Sequence, residues 1–250
     1  MKTVLIGRGR LATNLERALL SVGHEVMSIN SRTLEALPLE ADVFIIAVKD
    51  AVLPDVIRAA TKGREDQLFV HTAGSMPLSL FAGYTCRYGV FYPMQTFSKE
   101  RSVSFTDIPI FLEANDKRSL LVLRLLAESI SHSVYVLNSE ERKYLHLSAV
   151  FACNFANHCY ALAAQLLEQH GLPFDVMLPL IDETARKVHD LHPRDAQTGP
   201  AVRYDENVIN MQRQLLADHP VMQEVYELLS RSIHELTKEH DIKEPQHHLT

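Results

Sequence analysis

Near the start of the chain, Gly7-Arg8-Gly9-Arg10-Leu11-Ala12 has the residue types and spacing of an anion cradle. It follows a short apolar run and opens a helical segment, the setting in which a glycine-rich turn receives the pyrophosphate of a dinucleotide. Gly7 permits the tight turn, Gly9 removes the Cβ that would block the anion, and Ala12 lets the helix approach the sheet. The helix start then offers free N–H donors, and Arg8 and Arg10 add positive potential. Which dinucleotide is set by the end of the second strand, where an NAD site usually carries a carboxylate for the ribose 2′-OH. Here stand Asn30, Ser31, Arg32 and Thr33. Arg32 can pair bidentately with a 2′-phosphate while Ser31 and Thr33 donate to it, so NADP is preferred over NAD. The alternative for Arg32 is a solvated surface position.

A substrate would lie outside the carboxyl ends of the strands. The residues there are Val48-Lys49-Asp50, His71-Thr72-Ala73-Gly74 and Tyr92-Pro93-Met94-Gln95-Thr96. Val48, Lys49, Thr72 and Gly74 are assigned to the cofactor side, and Pro93 and Gln95 to the substrate side. Asp50 reads as a helix cap, Pro93 also as a turn former, and His71 as a hydrogen-bonded structural residue before a general base. Farther on, Asn154 and His158 share a helix face inside an apolar stretch, so they either bond to neighbouring helices or line a cleft. His146, eight residues before Asn154, falls about 80° around a regular helix from it. An imidazole exchanges protons near neutral pH, which makes His146 the candidate proton donor and Asn154 a candidate to position substrate. His189 and His192 form H-x-x-H without the glutamate and third ligand of a zinc hydrolase, so no metal is expected.

These residues need a scaffold that alternates strands and helices. Strands are predicted at Val4–Ile6, Glu25–Ile29, Val43–Val48, Leu68–His71, Gly89–Tyr92, Ile110–Glu113 and Val134–Leu137, with helices at Leu11–Val22 and Ser119–Ser129. That is the pattern of a doubly wound parallel α/β sheet. After Asn138 the strand signal stops. A helix is predicted from about residue 140 to Gln169, apolar on nearly every face between Leu145 and Leu167 and therefore enclosed by other helices or by a second subunit. Further helices are predicted at Pro173–Leu191, Glu206–Ala217 and Val221–His240, and a frayed polar tail over Glu244–Thr250. The expected organisation is a dinucleotide-binding domain over 1–138 and an all-helical substrate and dimerisation domain over 139–250. Seven of the nine glycines precede residue 139 and ten of the thirteen histidines follow it, in keeping with two differently built halves.

Composition narrows the function classes. The 250 residues are 46% apolar with a formal charge of −6, which suits a folded domain and argues against general nucleic-acid or anionic-membrane binding. Every uncharged apolar stretch is far shorter than the roughly 20 residues of a membrane helix. The N-terminal Met1–Gly7 reads as a first strand, not a signal peptide. Cys86, Cys153 and Cys159 are odd in number without a C-x-x-C, as expected of buried free thiols in a reducing cytoplasm.

Taken in order, five segments resemble a known family. They are the Gly7–Ala12 turn, His71–Gly74, Tyr92–Phe97, His146–Asn154, and Thr198-Gly199-Pro200 with Arg203 and Asp205. The family is that of Rossmann-like proteins with a 6-phosphogluconate dehydrogenase C-terminal-like helical domain, often described as NADP oxidoreductases. More distantly the chain is similar to pyrroline-5-carboxylate reductase and ketopantoate reductase, whose helical domain closes a cleft over the nicotinamide and often forms a homodimer. The resemblance implies that His146, Asn154, Thr198, Gly199, Pro200, Arg203 and Asp205 gather near the interdomain cleft. Arg203 then binds a substrate carboxylate or, by slight preference, pairs with Asp205. The chain departs from the pattern at Tyr92 (commonly His), Ala73 (Ser), Tyr204 (Gly) and Val150, where related hydroxyacid dehydrogenases have a catalytic lysine. The implied activity is NADP-dependent hydride transfer to or from a small C=N or C=O substrate. The competing possibilities are a non-catalytic dinucleotide sensor or assembly protein and, less favoured, a metal-dependent hydrolase.

Overall fold

The computed structural model describes residues 1–98, 101 and 103–243. The expected tail over Glu244–Thr250 lies outside the described residues. The chain forms β1 (Lys2–Ile6), α1 (Arg10–Ser21), β2 (Glu25–Ile29), β3 (Val43–Ile46), α2 (Leu53–Thr61), β4 (Leu68–His71), β5 (Arg87–Pro93), β6 (Ile110–Ala114), α3 (Lys117–Glu128) and β7 (Val134–Val136). The seven strands make one sheet in the order β2-β1-β3-β4-β5-β6-β7.

Side chains alternate across the pleat, and the apolar strand runs feed two cores. Leu5, Val43, Ile45 and Val70 meet Leu15 and Leu19 of α1 and Leu123 and Leu126 of α3. Val4, Ile6, Phe44 and Ile46 meet Leu53, Val56 and Ile57 of α2. The chain winds one way from β1 to β2 and the other way from β3 onward, so the segments after β1 and β3 diverge and leave a crevice at their carboxyl ends.

The sheet is not wholly parallel. β5 and β6 pair antiparallel, Tyr92 opposite Phe111, whereas the other five pairings are parallel. A parallel return needs a crossover, usually a helix, and the described residues between Pro93 and Ile110 contain none. Asp50 also departs from expectation. A 3-10 turn, Asp50–Val52, precedes α2, and the Asp50 carboxylate accepts from the Ser75 hydroxyl at 2.6 Å instead of capping a helix.

After Val136 there is no further strand among the described residues. Asn138 and Glu141 form a capping box that starts α4 (Ser139–Ala149). The helix predicted from about 140 to Gln169 is interrupted by a π-helical segment, Val150–Phe155, before α5 (Ala156–Gln169). Then come α6 (Leu178–Asp190), α7 (Pro200–Arg203), α8 (Glu206–Leu215) and α9 (Pro220–Lys243). Contacts divide the chain into two compact units, Met1–Ala156 and Asn157–Thr250. The first unit thus runs on past the strand-to-helix change at Asn138.

Among the described residues nothing encloses the apolar helix. No residue of α5 is buried, and Phe151 and Phe155 are 63% and 50% exposed. Cys86 and Cys159 are exposed and Cys153 is half-buried, contrary to the expectation of buried thiols. No helix among the described residues is long and apolar enough to cross a membrane.

Candidate active site

The turn after β1 separates two uses of glycine. Gly7 has φ +133°, and a Cβ there would run into the Ala47 carbonyl oxygen after β3, so the protein's own backbone demands glycine. Gly9 has an ordinary extended backbone and a Cβ on it would meet nothing within 4 Å. No side chain caps α1, whose first N–H groups therefore remain available to a ligand. Arg8, Gly9 and Arg10 are exposed, and a concavity of about 380 Å³ opens beside Gly7, Arg8 and Thr13. Val48 approaches Gly7 from the neighbouring loop, its Cγ1 3.5 Å from where a Gly7 Cβ would lie. Leu11 and Ala12 turn inward as α1 begins, Ala12 being buried against the sheet. Open space at Gly9, an uncapped helix start and two arginines fit a pyrophosphate.

Past β2, the Asn30 side-chain oxygen accepts from Arg32 N–H at 3.1 Å, and the Asn30 carbonyl accepts from Thr33 N–H at 2.9 Å and the Thr33 hydroxyl at 3.3 Å. This local turn occupies Asn30 and Thr33. It leaves Arg32 exposed and without an ion-pair partner among the described residues. Ser31 is half-buried and Lys49 exposed.

A second cluster forms farther along the sheet edge. Tyr92, near the end of β5, is 8% exposed, and its hydroxyl lies 3.0 Å from His146 Nδ1 on α4. The two rings meet edge to face at 5.9 Å. Burial pushes the Tyr92 phenol up, only partly opposed by the charge of Arg142, so the phenol keeps its proton. A phenol that donates to Nδ1 leaves the proton of a neutral imidazole on Nε2. Gly74 closes over the pair. A Cβ at Gly74 would lie 2.6 Å from His146 Nδ1 and 2.9 Å from Tyr92 Cζ.

Both residues line a cavity of about 570 Å³ together with Gln95, Thr96, Cys153 and Asn154. His146 and Asn154 thus share one wall, although a regular helix would set them about 80° apart. The π-helical segment between them widens the turn, and such segments are frequent at functional sites. Pro93 is buried beside this wall and Thr72 is buried one residue past β4. His158, exposed like Asn154, does not line the cavity.

His71 proves structural. Fully buried, it accepts from Ala73 N–H at 3.2 Å through Nδ1 and contacts the Pro77 carbonyl at 3.4 Å through Nε2, a neutral ring with both nitrogens used. Burial, reinforced by nearby Arg142, pushes its pKa down to about 4. Arg142 was not anticipated from the sequence. It is the largest fully buried side chain of the chain's described residues, paired with Glu113 on β6. The i, i+4 spacing from Arg142 to His146 was visible, but nothing local announces a buried guanidinium.

In the second unit, Gly199 has φ +110° and opens α7, and Tyr204 ends it in the left-handed region at φ +51°. That conformation explains why glycine suits position 204. Tyr204 compensates by stacking on His234 at 4.7 Å. Asp205 does not pair with Arg203. It caps α8, accepting from Val208 N–H at 3.4 Å, and leaves Arg203 exposed, as is Thr198. Among the described residues no group of His, Cys, Asp and Glu could hold a metal ion.

The family described as a domain of unknown function, DUF2520, matches residues 108–233. The chain is 50% identical to a provisionally named NADP oxidoreductase of Bacteroides fragilis, covering 94% of this chain and 98% of that one with a TM-score of 0.89. An imine reductase of Myxococcus stipitatus in complex with NADP+ is 15% identical, covering 95% and 94% with a TM-score of 0.66. A 1-pyrroline-5-carboxylate reductase of Streptococcus pyogenes is also 15% identical, covering 94% and 98% with a TM-score of 0.58. The last two share the fold, a Rossmann-type sheet followed by helices. Among curated proteins none matches the chain.

Proposed function

This chain belongs to the DUF2520 family, and from that premise we propose that it is an NADP-dependent reductase acting on a small C=N or C=O substrate. The observation that carries this is the Tyr92–His146 hydrogen bond at 3.0 Å on the wall of the 570 Å³ cavity. It is supported by the empty cradle at Gly9 and by the name of the Bacteroides relative. The turn from Gly7 to Ala12 would hold the pyrophosphate, Arg32 with Ser31 the 2′-phosphate, and Val48, Lys49, Thr72 and Gly74 the remainder of the dinucleotide. When bound, the cofactor supplies the hydride.

The chain's own residues handle the proton. Tyr92 fixes the tautomer of His146, which offers its Nε2 proton to the substrate heteroatom as charge develops there. Asn154 and Gln95 orient the C=N or C=O group, and Pro93 shapes the wall. Val150 stands on that wall where hydroxyacid dehydrogenases carry a lysine, so the proton falls to His146. Exposed free thiols suit a reducing cytoplasm, and the exposed Phe151 and Phe155 suit a homodimer, which light scattering would report as a doubled mass.

The test is NADPH binding followed by absorbance at the nicotinamide band with imine and carbonyl probes. His146→Ala should bind NADPH as the wild type does and lose turnover by about 100- to 10,000-fold. Full turnover in that variant would refute the assignment. Tight NADPH binding with no turnover of any probe would instead favour a dinucleotide sensor.

A further inference from the structure

Arg142 has 1% of its side chain exposed, and a guanidinium costs several kcal/mol to bury unless its partners are well placed. Those partners come from three separate segments. One terminal nitrogen pairs with the Glu113 carboxylate on β6. The other donates to the Met76 carbonyl at 2.6 Å, in the loop after β4, and to the Ser139 hydroxyl at 3.2 Å in the first turn of α4. Ser139 completes the knot. Its N–H and hydroxyl donate to Glu113 at 3.0 and 2.8 Å, and its oxygen accepts from Leu78 N–H at 2.9 Å.

We propose that Arg142 and Glu113 are positioning residues for the Tyr92–His146 pair, holding α4 against β6 and against the loop that carries Gly74. The geometry motivates this in two ways. His146 lies one helical turn beyond Arg142, on the same face, so whatever sets the rotation of α4 at Arg142 also sets the His146 ring. Gly74 lies two residues before Met76, and it packs against both Tyr92 and His146 with no room for a Cβ. Helix and loop are therefore pinned by the same guanidinium. Replacing a buried ion pair by apolar residues is often neutral or favourable for stability, so its use here fits a gain in geometric definition. Arg142 does not line the cavity and is not itself catalytic. The fork of an arginine fixes two directions at once, which a lysine cannot do.

This inference rests on His146 being the proton donor, so its test reads the resting protein as well as turnover. Nitrogen-15 NMR of the His146 ring reports which nitrogen carries the proton, without substrate. The wild type should show the Nε2–H form, and Arg142→Lys should show a mixture of tautomers. With NADPH and 1-pyrroline or cyclohexanone as probes, Arg142→Lys should lower kcat about 10- to 100-fold while NADPH affinity and probe KM stay within about twofold. Tyr92→Phe should abolish the tautomer preference, and Arg142→Lys added to it should cost no more than about a further twofold. An unchanged His146 spectrum in folded Arg142→Lys overturns the proposal. So does an equal loss in the wild-type and Tyr92→Phe backgrounds. Should Arg142→Lys fail to fold, Ser139→Ala removes the link between Glu113 and Leu78 without stranding a charge, and the same spectral shift, smaller, is expected. If neither probe is turned over, the spectra still decide the positioning role while the reductase assignment fails on its own.

Discussion

The glycine turn and the Tyr92–His146 wall solve different problems by different means. The turn is local and exposed from Arg8 to Arg10, and its proposed task is to offer backbone N–H groups to an anion. The wall joins side chains 54 residues apart and buries one of them, and its proposed task is to direct a single proton. Binding a phosphate tolerates water and needs only open backbone. Fixing a tautomer needs a partner held within hydrogen-bond distance, which here draws on β5, α4 and the loop after β4. The turn accordingly needs six consecutive residues, and the wall needs a buried ion pair behind it.

The largest expected effect tests whether the two glycines of the turn really differ. Gly7→Ala places a Cβ against the Ala47 carbonyl in a backbone region closed to other residues, and should lower unfolding stability by about 3 kcal/mol or more. Gly9→Ser should leave stability unchanged or raise it by a few tenths of a kcal/mol, because serine is a good helix cap. It should nevertheless weaken NADPH binding by about tenfold or more, since the Cβ would enter the anion's space. Denaturant unfolding with and without NADPH separates the two. Normal NADPH affinity in Gly9→Ser would remove the turn from the binding site.

What the chain declares in advance follows the same division. The turn, its flanking β1 and α1, and the alternating strands were legible because each depends on neighbours a few residues away. The antiparallel β5–β6 pair was not, since strand direction depends on what lies between Pro93 and Ile110. Asp50 looked like a cap because its partner Ser75 is 25 residues distant. Asn154 and His146 were recognised as belonging together, but by a regular-helix angle that the π-helical segment replaces. Tyr92 reads from the sequence as a strand-end candidate and as a departure from a family pattern, with no partner in view. Its contacts are visible once His146 and Gly74 are beside it, and Arg142 is invisible until three segments converge on it.

A smaller effect, on the cavity side, comes from His71. Its folded pKa of about 4 lies below the ordinary histidine value of 6.5, so the unfolded chain binds the extra proton first as pH falls. The neutral ring's contribution is therefore complete above about pH 6.5, declines as pH falls towards 4, and is lost below it. The difference is about 3 kcal/mol across that window. His71→Asn should show a correspondingly flatter dependence of denaturation midpoint on pH between 7 and 4. Parallel curves for the two proteins would mean that His71 does not remain neutral, and the ordered loop from Thr72 to Leu78 would need another explanation.

The smallest effect concerns the exposed end of the proposed cofactor site and asks whether side chains matter there at all. Asn30 and Thr33 are occupied by their own turn, which leaves Arg32 as the charged group beside the end of β2. A charge-assisted pair between an exposed arginine and a 2′-phosphate is screened by salt, so its removal should be modest. Arg32→Ala should weaken NADPH binding about tenfold at low ionic strength, less at high salt, and leave NADH binding within about twofold. Equal loss for both nucleotides would show that Arg32 supports the turn and does not read the phosphate. No loss for either would mean that backbone alone serves this half of the site, and the contrast with the side-chain-built wall would become complete.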